Sequence, residues 1–380
     1  MKLPRPRVIA VSSCALMLAA TAGLLVAGPL NPPGGPIGAT MKTLAEVEPR
    51  IALSAANTPG DADSIYKITQ PGSYYLTGNL TGVAGKHGIE ITASNVSLDL
   101  GGMHLDGSTP GTFHGIYTIG SGLSNVAVFN GTVSGWGGAG VHHSINGTIG
   151  GRVERIHSNS NGLQGFVVGN SSSVSDCSAY DNAGDGFVIY SGCVVRDCES
   201  RANAGDGFDF TGGVSLSGCA AYANTGTGFV ASTFSANTLD HCIAYSNLIG
   251  ISLASGSSVL DCTAVANNID GVRVSSRCTV RGNTCLENGA SDPAGAGVRT
   301  TGADNRVEAN HCALNDIGYA IKASGNALLR NSATGNSVLN WSIVSGNTFL
   351  IVSAPASAAL DGNAGGSGYG STDPNANITY

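Results

Sequence analysis

Three groups of side chains have types and spacings that suit chemistry. The first is His87, Glu90, His114, Tyr117 and His142, with Lys86 beside it. Histidine, tyrosine and lysine can move protons near neutral pH when their surroundings shift their pKa values, and three histidines with a glutamate are equally a transition-metal donor set. The second is Asp185, Asp206 and Asp209, followed by Asp270, Arg273 and Arg299. Paired carboxylates can act as general acid and base or hold Ca²⁺, and the two arginines can grip a carboxylate. Asp185, Asp206 and Asp270 all precede glycine, however, and Asp-Gly is also a turn dipeptide. The third is Asp176, Asp197, His241 and Asp261, with Glu199 alongside, which reads as a solvated or cation-bridged surface.

These groups fall at equivalent points of an internal repeat. VSDCSAYDNAGDGFVI from Val174 matches VRDCESRANAGDGFDF from Val195 and VLDCTAVANNIDGVRV from Val259. One Asn position recurs at Asn161, Asn182, Asn203, Asn224, Asn247, Asn267, Asn288, Asn315 and Asn336, mostly 21 residues apart. A glycine followed by an apolar residue recurs from Gly88-Ile89 to Gly318-Tyr319, marking about eleven coils. Triplets such as Phe187-Val188-Ile189 suit short strands with alternate side chains inward. The spacing predicts an all-β fold, a single-stranded parallel β-helix in which each glycine makes room at a corner and the asparagines occupy another. Stacked asparagines at about 4.8 Å per coil are expected to bond one another along the axis. Leucine-rich and helical repeats lack a supporting frame.

The same register explains the cysteines. Cys177, Cys198, Cys219, Cys242 and Cys262 share one column, with Asn283, Asn310 and Asn331 in its continuation, and Cys285 and Cys312 share another. They read as buried small hydrophobes. No metal ligation is assigned to them, and no disulfide plan is evident.

The segments ITQPGSYYLTGNL (Ile68–Leu80) and GIEITASNVSLDLGGMHLDG (Gly88–Gly107) resemble the opening of bacterial right-handed β-helix repeat proteins of the pectin-lyase-like superfamily. The likeness covers roughly residues 62–350 and implies a right-handed solenoid. It speaks weakly to activity, because that superfamily includes lyases, hydrolases, epimerases, adhesins and accessory proteins. This chain has no Asp-Asp pair, no Arg-x-Lys, no Asp-Pro-His and no Arg-x-Pro-x-x-Arg, so no family catalytic residue transfers to it.

Composition narrows the classes. The 380 residues include 56 Gly but only 11% charged residues, and the formal net charge is −7. That balance opposes nucleic-acid binding by bulk electrostatics. Lys2, Arg5 and Arg7 precede an apolar run to about Gly28, which reads as a signal peptide or an uncleaved N-terminal membrane anchor over 1–28. Residues 29–60 read as a linker and capping segment, with a short capping helix at Met41–Glu48; 61–355 as the β-helix; and 356–380 as a Gly-rich tail whose NANITY end suits a closing strand.

The outward positions of one sheet gather the first two groups. His87, His114, Tyr117, His142, Asp185, Asp206 and Asp209 are the catalytic candidates, with Glu90, Arg273 and Arg299 as substrate-binding candidates. With the resemblance, they lead to the expectation of a secreted, periplasmic or cell-surface protein that engages polysaccharide, lyase-like on an acidic glycan if it is an enzyme, with Ca²⁺ as a candidate cofactor. A structural or adhesive module is the alternative, and a metal-handling accessory a weaker one. The oligomeric state stays open.

Overall fold

The computed structural model describes residues 49–109, 111–143, 149–231, 236–292, 294–353, 360–362 and 373–379. The expected leader and capping helix lie outside them. Arg50–Tyr380 forms one compact unit, and every named element among the described residues is a strand.

Each coil is three short strands joined by bends. Ser173–Ser175, Ser178–Tyr180 and Phe187–Ile189 form one such coil. Each pairs in parallel with its equivalent in the next, as Phe187↔Phe208 and Ala179↔Ser200 show. The third strand of every coil builds a 14-stranded sheet, and the first two build a 25-stranded one. The two walls of the larger sheet stay hydrogen-bonded together because Val126–Trp136 and Arg152–Asn159 run unbroken across the bend.

Fourteen strands in one sheet make about 13 turns, not eleven. The eleven glycine-marked strands are all present. Ser64–Ile68, Leu339–Ile343 and Leu360–Gly362 add rungs without the glycine step. Pairing begins at Ile51–Ala52, ahead of residue 61. At the other end, Asn377–Thr379 pairs with both Ser332–Ala333 and Ile351–Ser353, so the NANITY end does close the last rung.

The core is stacked by identity. Phe166, Phe187, Phe208 and Phe229 lie face to face with centroids 4.6–4.9 Å apart. All nine described cysteines are buried free thiols. The glycine before each of these strands is required by space: a Cβ on Gly186 would sit 2.0 Å from Ser200 Oγ and 2.8 Å from the Gly207 carbonyl.

The asparagine ladder forms as expected. Asn182 donates from Nδ2 and from its backbone N–H to Asn203 Oδ1, at 2.9 and 3.0 Å, and Asn203 repeats this toward Asn224. The left-handed backbone belongs not to the asparagines but to the residue before each, such as Asp181 (φ 55°) and Ala202 (φ 53°). The chain turns there and aims the next side chain inward, where only an amide can satisfy the buried bend. A second bend in each coil is left-handed at Asp176, Asp197, His241 and Asp261. That third group therefore lies at strand corners, away from the 14-stranded sheet.

Candidate functional site

The outward residue of each strand in the 14-stranded sheet forms a single column. Its register runs Lys67↔Glu90↔Tyr117↔His142↔Val167↔Val188↔Asp209↔Val230 and, further along, Ser252↔Arg273↔Arg299. The residue before each glycine forms a second column beside it, containing His87, His114, Asp185, Asp206 and Asp270. Together they make three polar stations. Three coil steps separate His142 from Asp209, and three more separate Asp209 from Arg273, about 14 Å each at the strand spacing.

At the first station the four aromatic candidates converge. His87 stacks on His114 at 5.2 Å and on Tyr117 at 4.6 Å. His114 lies 4.6 Å from His142 and 4.9 Å from Tyr117. His87 Nδ1 accepts the His114 backbone N–H at 2.8 Å, and His114 Nδ1 accepts that of Ala139 at 2.8 Å. A nitrogen that accepts an N–H carries no proton, so both rings are held in the Nε2–H tautomer. Burial lowers the pKa of His87 and of His142, and burial with the neighbouring histidines brings His114 down to about 3. These rings are neutral at physiological pH, and two of them have committed the lone pair a base would use. With Nδ1 engaged by the backbone, His87 and His114 form a neutral platform that presents Nε2–H donors at its edge.

Glu90 does not join the rings chemically. It is nearly buried and pairs with Lys67 at 2.8 Å, and Lys67 also holds Asp61 at 2.6 Å. Lys67 was not a sequence candidate. Its signal was its place one coil ahead of Glu90 in an unmarked strand. His143, next to His142, points inward, is fully buried, and has no partner on either ring nitrogen among the described residues. Burial lowers its pKa to about 4.

The carboxylate station divides by role. Asp185 Oδ1 accepts the Asp206 N–H at 2.7 Å, and Asp206 Oδ1 accepts that of Thr227 at 2.5 Å. Each pre-glycine aspartate thus caps the backbone of the following coil, which extends the turn reading. Asp209, in the outward column, has no such duty. Burial first, then the charges of Asp185 and Asp206, push its pKa up to about 6. Burial also raises Asp206.

The arginine station is internally neutralised in part. Asp270 is fully buried, and its Oδ2 accepts from Arg273 Nε at 2.6 Å and Arg299 Nε at 2.8 Å, while its Oδ1 accepts the Ala296 N–H. Two guanidinium groups on one carboxylate leave a single net positive charge. Arg273 keeps a third of its side chain exposed and Arg299 rather less.

The right-handed β-helix region family matches residues 209–285. Among solved structures, the A-module of Azotobacter vinelandii mannuronan C-5 epimerase AlgE4 is similar at 18% identity and TM-score 0.57, over 72% of this chain and 84% of that one. The AlgE6 A-module from the same organism is similar at 18% identity and TM-score 0.54, over 87% of each chain. This chain is a right-handed parallel β-helix. No curated protein matches its sequence. Within this β-helix the donor atoms of His87, His114 and His142 do not form a metal-holding group. Among the described residues, three donors come within 4.8 Å of one another at Asp61, Asp63 and Glu90 and at Asp240, His241 and Asp261. In the first of these groups Lys67 already supplies the cation to Asp61 and Glu90.

Proposed function

We propose that the outward face of the 14-stranded sheet binds an acidic polysaccharide along the solenoid axis, on a protein exported to the periplasm, cell surface or medium. One observation carries this: a ring platform, a protonatable carboxylate and a cationic pair lie on one face, in register, along a single line. A polymer that repeats along its length suits a surface that repeats along its axis. Tyr117 and His142 offer ring faces, the Arg273–Asp270–Arg299 triad offers net positive charge to a uronate, and Ca²⁺ beside Asp185 and Asp206 would offset their repulsion of the glycan while leaving Asp209 free. The same β-helix architecture in two mannuronan C-5 epimerase modules supports the reading.

In a lyase-like reaction Asp209 is the proton-transferring group. A uronate loses the proton beside its carboxylate, the glycosidic C–O bond breaks, a C=C bond forms, and the departing oxygen takes a proton. Asp209 is suited to this because burial and the charges of Asp185 and Asp206 raise its pKa to about 6.

The test is co-sedimentation of the full chain with soluble polyuronates, with and without Ca²⁺, while following the ultraviolet absorbance of an unsaturated product. Retention that weakens in an Arg273→Ser/Arg299→Ser variant is expected. No retention across mannuronate, guluronate and galacturonate polymers, in either condition, refutes the proposal. A structural or adhesive module is the second reading. It is favoured by His87, His114, Asp185, Asp206 and Asp270 all accepting backbone N–H groups. It predicts glycan retention without an absorbance change, or no retention at all.

A further inference from the structure

The second strand of each coil builds a different wall, whose outward residues the proposed glycan face does not use. Its register aligns Tyr180↔Arg201↔Tyr222↔Tyr245, with Val265 and Leu286 continuing the line. Tyr180 is 40% exposed and Tyr245 48%. The Tyr222 and Tyr245 rings lie 6.4 Å apart, tilted by 59°. Beside Tyr180, an open depression of about 220 Å³ is lined by Ser178, Glu199 and Arg201.

We propose that this wall is a second glycan-binding strip, selective for an uncharged polysaccharide. Three arguments from the surface choose that occupant. From Ser178 to Leu286 the outward residues of this wall carry one carboxylate, Glu199, and one cation, Arg201, so there is no net charge to favour an ionic ligand. Tyrosine presents an apolar ring and a polar tip, which matches the C–H faces and hydroxyl rims of pyranose rings. The depression adds a hydroxyl, a carboxylate and a guanidinium, which can donate to and accept from sugar hydroxyls. A stable protein partner needs about 800 Å² per side, more than a narrow strip of Tyr180, Arg201, Tyr222, Ile243 and Tyr245 presents. The strip is two side chains wide and runs along the axis, as a polymer would. It stands apart from the acidic-glycan face and does not rest on that reading.

Affinity electrophoresis of the full chain in gels containing soluble glucan, xylan or mannan tests the proposal. Retardation by at least one of the three is expected, with apparent affinity falling about tenfold or more in Tyr222→Ala/Tyr245→Ala, a difference of about 1.4 kcal/mol. Tyr222→Phe/Tyr245→Phe should keep most of it, because the ring face remains. Circular dichroism of each variant confirms folding, and polyuronate retention by the same variants separates failure of this strip from failure of the other face. Three results overturn the proposal: no retardation of the wild type, equal retardation of wild type and the Ala variant, or a wild-type dimer in sedimentation equilibrium that the Ala variant abolishes. The last would assign the strip to a second copy of the chain.

Discussion

Replacing Asp209 with asparagine should stabilise this protein at neutral pH and leave its acid stability unchanged. Asp209 has a folded-state pKa of about 6 against an ordinary 3.8, raised by burial and by Asp185 and Asp206. A carboxyl whose folded pKa is raised is harder to ionise folded than unfolded. Its contribution is therefore most favourable below the unfolded value and is lost as pH rises through about 6. The rise from 3.8 to about 6 corresponds to about 3 kcal/mol. Asp209 is part-exposed, and solvent screening reduces this to about 1–2 kcal/mol. Asparagine keeps the shape and never ionises, so the variant should recover that amount at pH 7.5 and almost nothing at pH 3.5. Because solenoids can open coil by coil, amide hydrogen exchange of Phe208–Phe210 is a better readout than a single melting temperature. Slower exchange in the variant at pH 7.5, with parity in acid, is expected. A variant less stable at pH 7.5, or one with the same gain at both pH values, would refute the reasoning. If Asp209 transfers protons, the stabilised variant should also lose turnover.

Other outcomes follow from the packing. His143 is fully buried without partners among the described residues, and its lowered folded pKa means that stability is present above about 6.5 and lost as pH falls toward 4; His143→Leu should flatten the acid limb of a urea-midpoint-versus-pH curve by up to about 3 kcal/mol. Asn203→Ala removes the acceptor of two bonds from Asn182 and should cost about 2–4 kcal/mol, measured by the urea midpoint. Gly207→Ala would place a Cβ 2.5 Å from the Gly228 carbonyl and 2.9 Å from Asn224 Nδ2, and should cost at least about 1–3 kcal/mol in the same assay.

Much of the fold was legible because a solenoid writes its geometry into every repeat. The Phe and Cys columns are buried as their spacing implied. The ends were less legible. Leu339–Ile343 and Leu360–Gly362 pair in the same sheet without a glycine signal, since pairing is a backbone property. The left-handed position before each asparagine carries no sequence signal, because Asp181, Ala202 and Ala223 vary in type where the inward asparagine does not.

The candidate site was legible as a set of positions and not as chemistry. The repeat alone placed His87, His114, Tyr117 and His142 in adjacent coils, and in-register stacking followed. It also placed Asp209, Arg273 and Arg299 on the same line. Only the tertiary structure decided which lone pairs were already used and which charges were already paired. His87 and His114 accept backbone N–H groups from the next coil, Asp270 holds both arginines, and Lys67 holds Glu90. Apart from Asp270–Arg273, three positions apart, those bonds join residues 23 to 29 positions apart and depend on ångström-scale approach across coils. Residue type and period set the face a side chain occupies; the distance to its neighbour sets what that side chain is free to do.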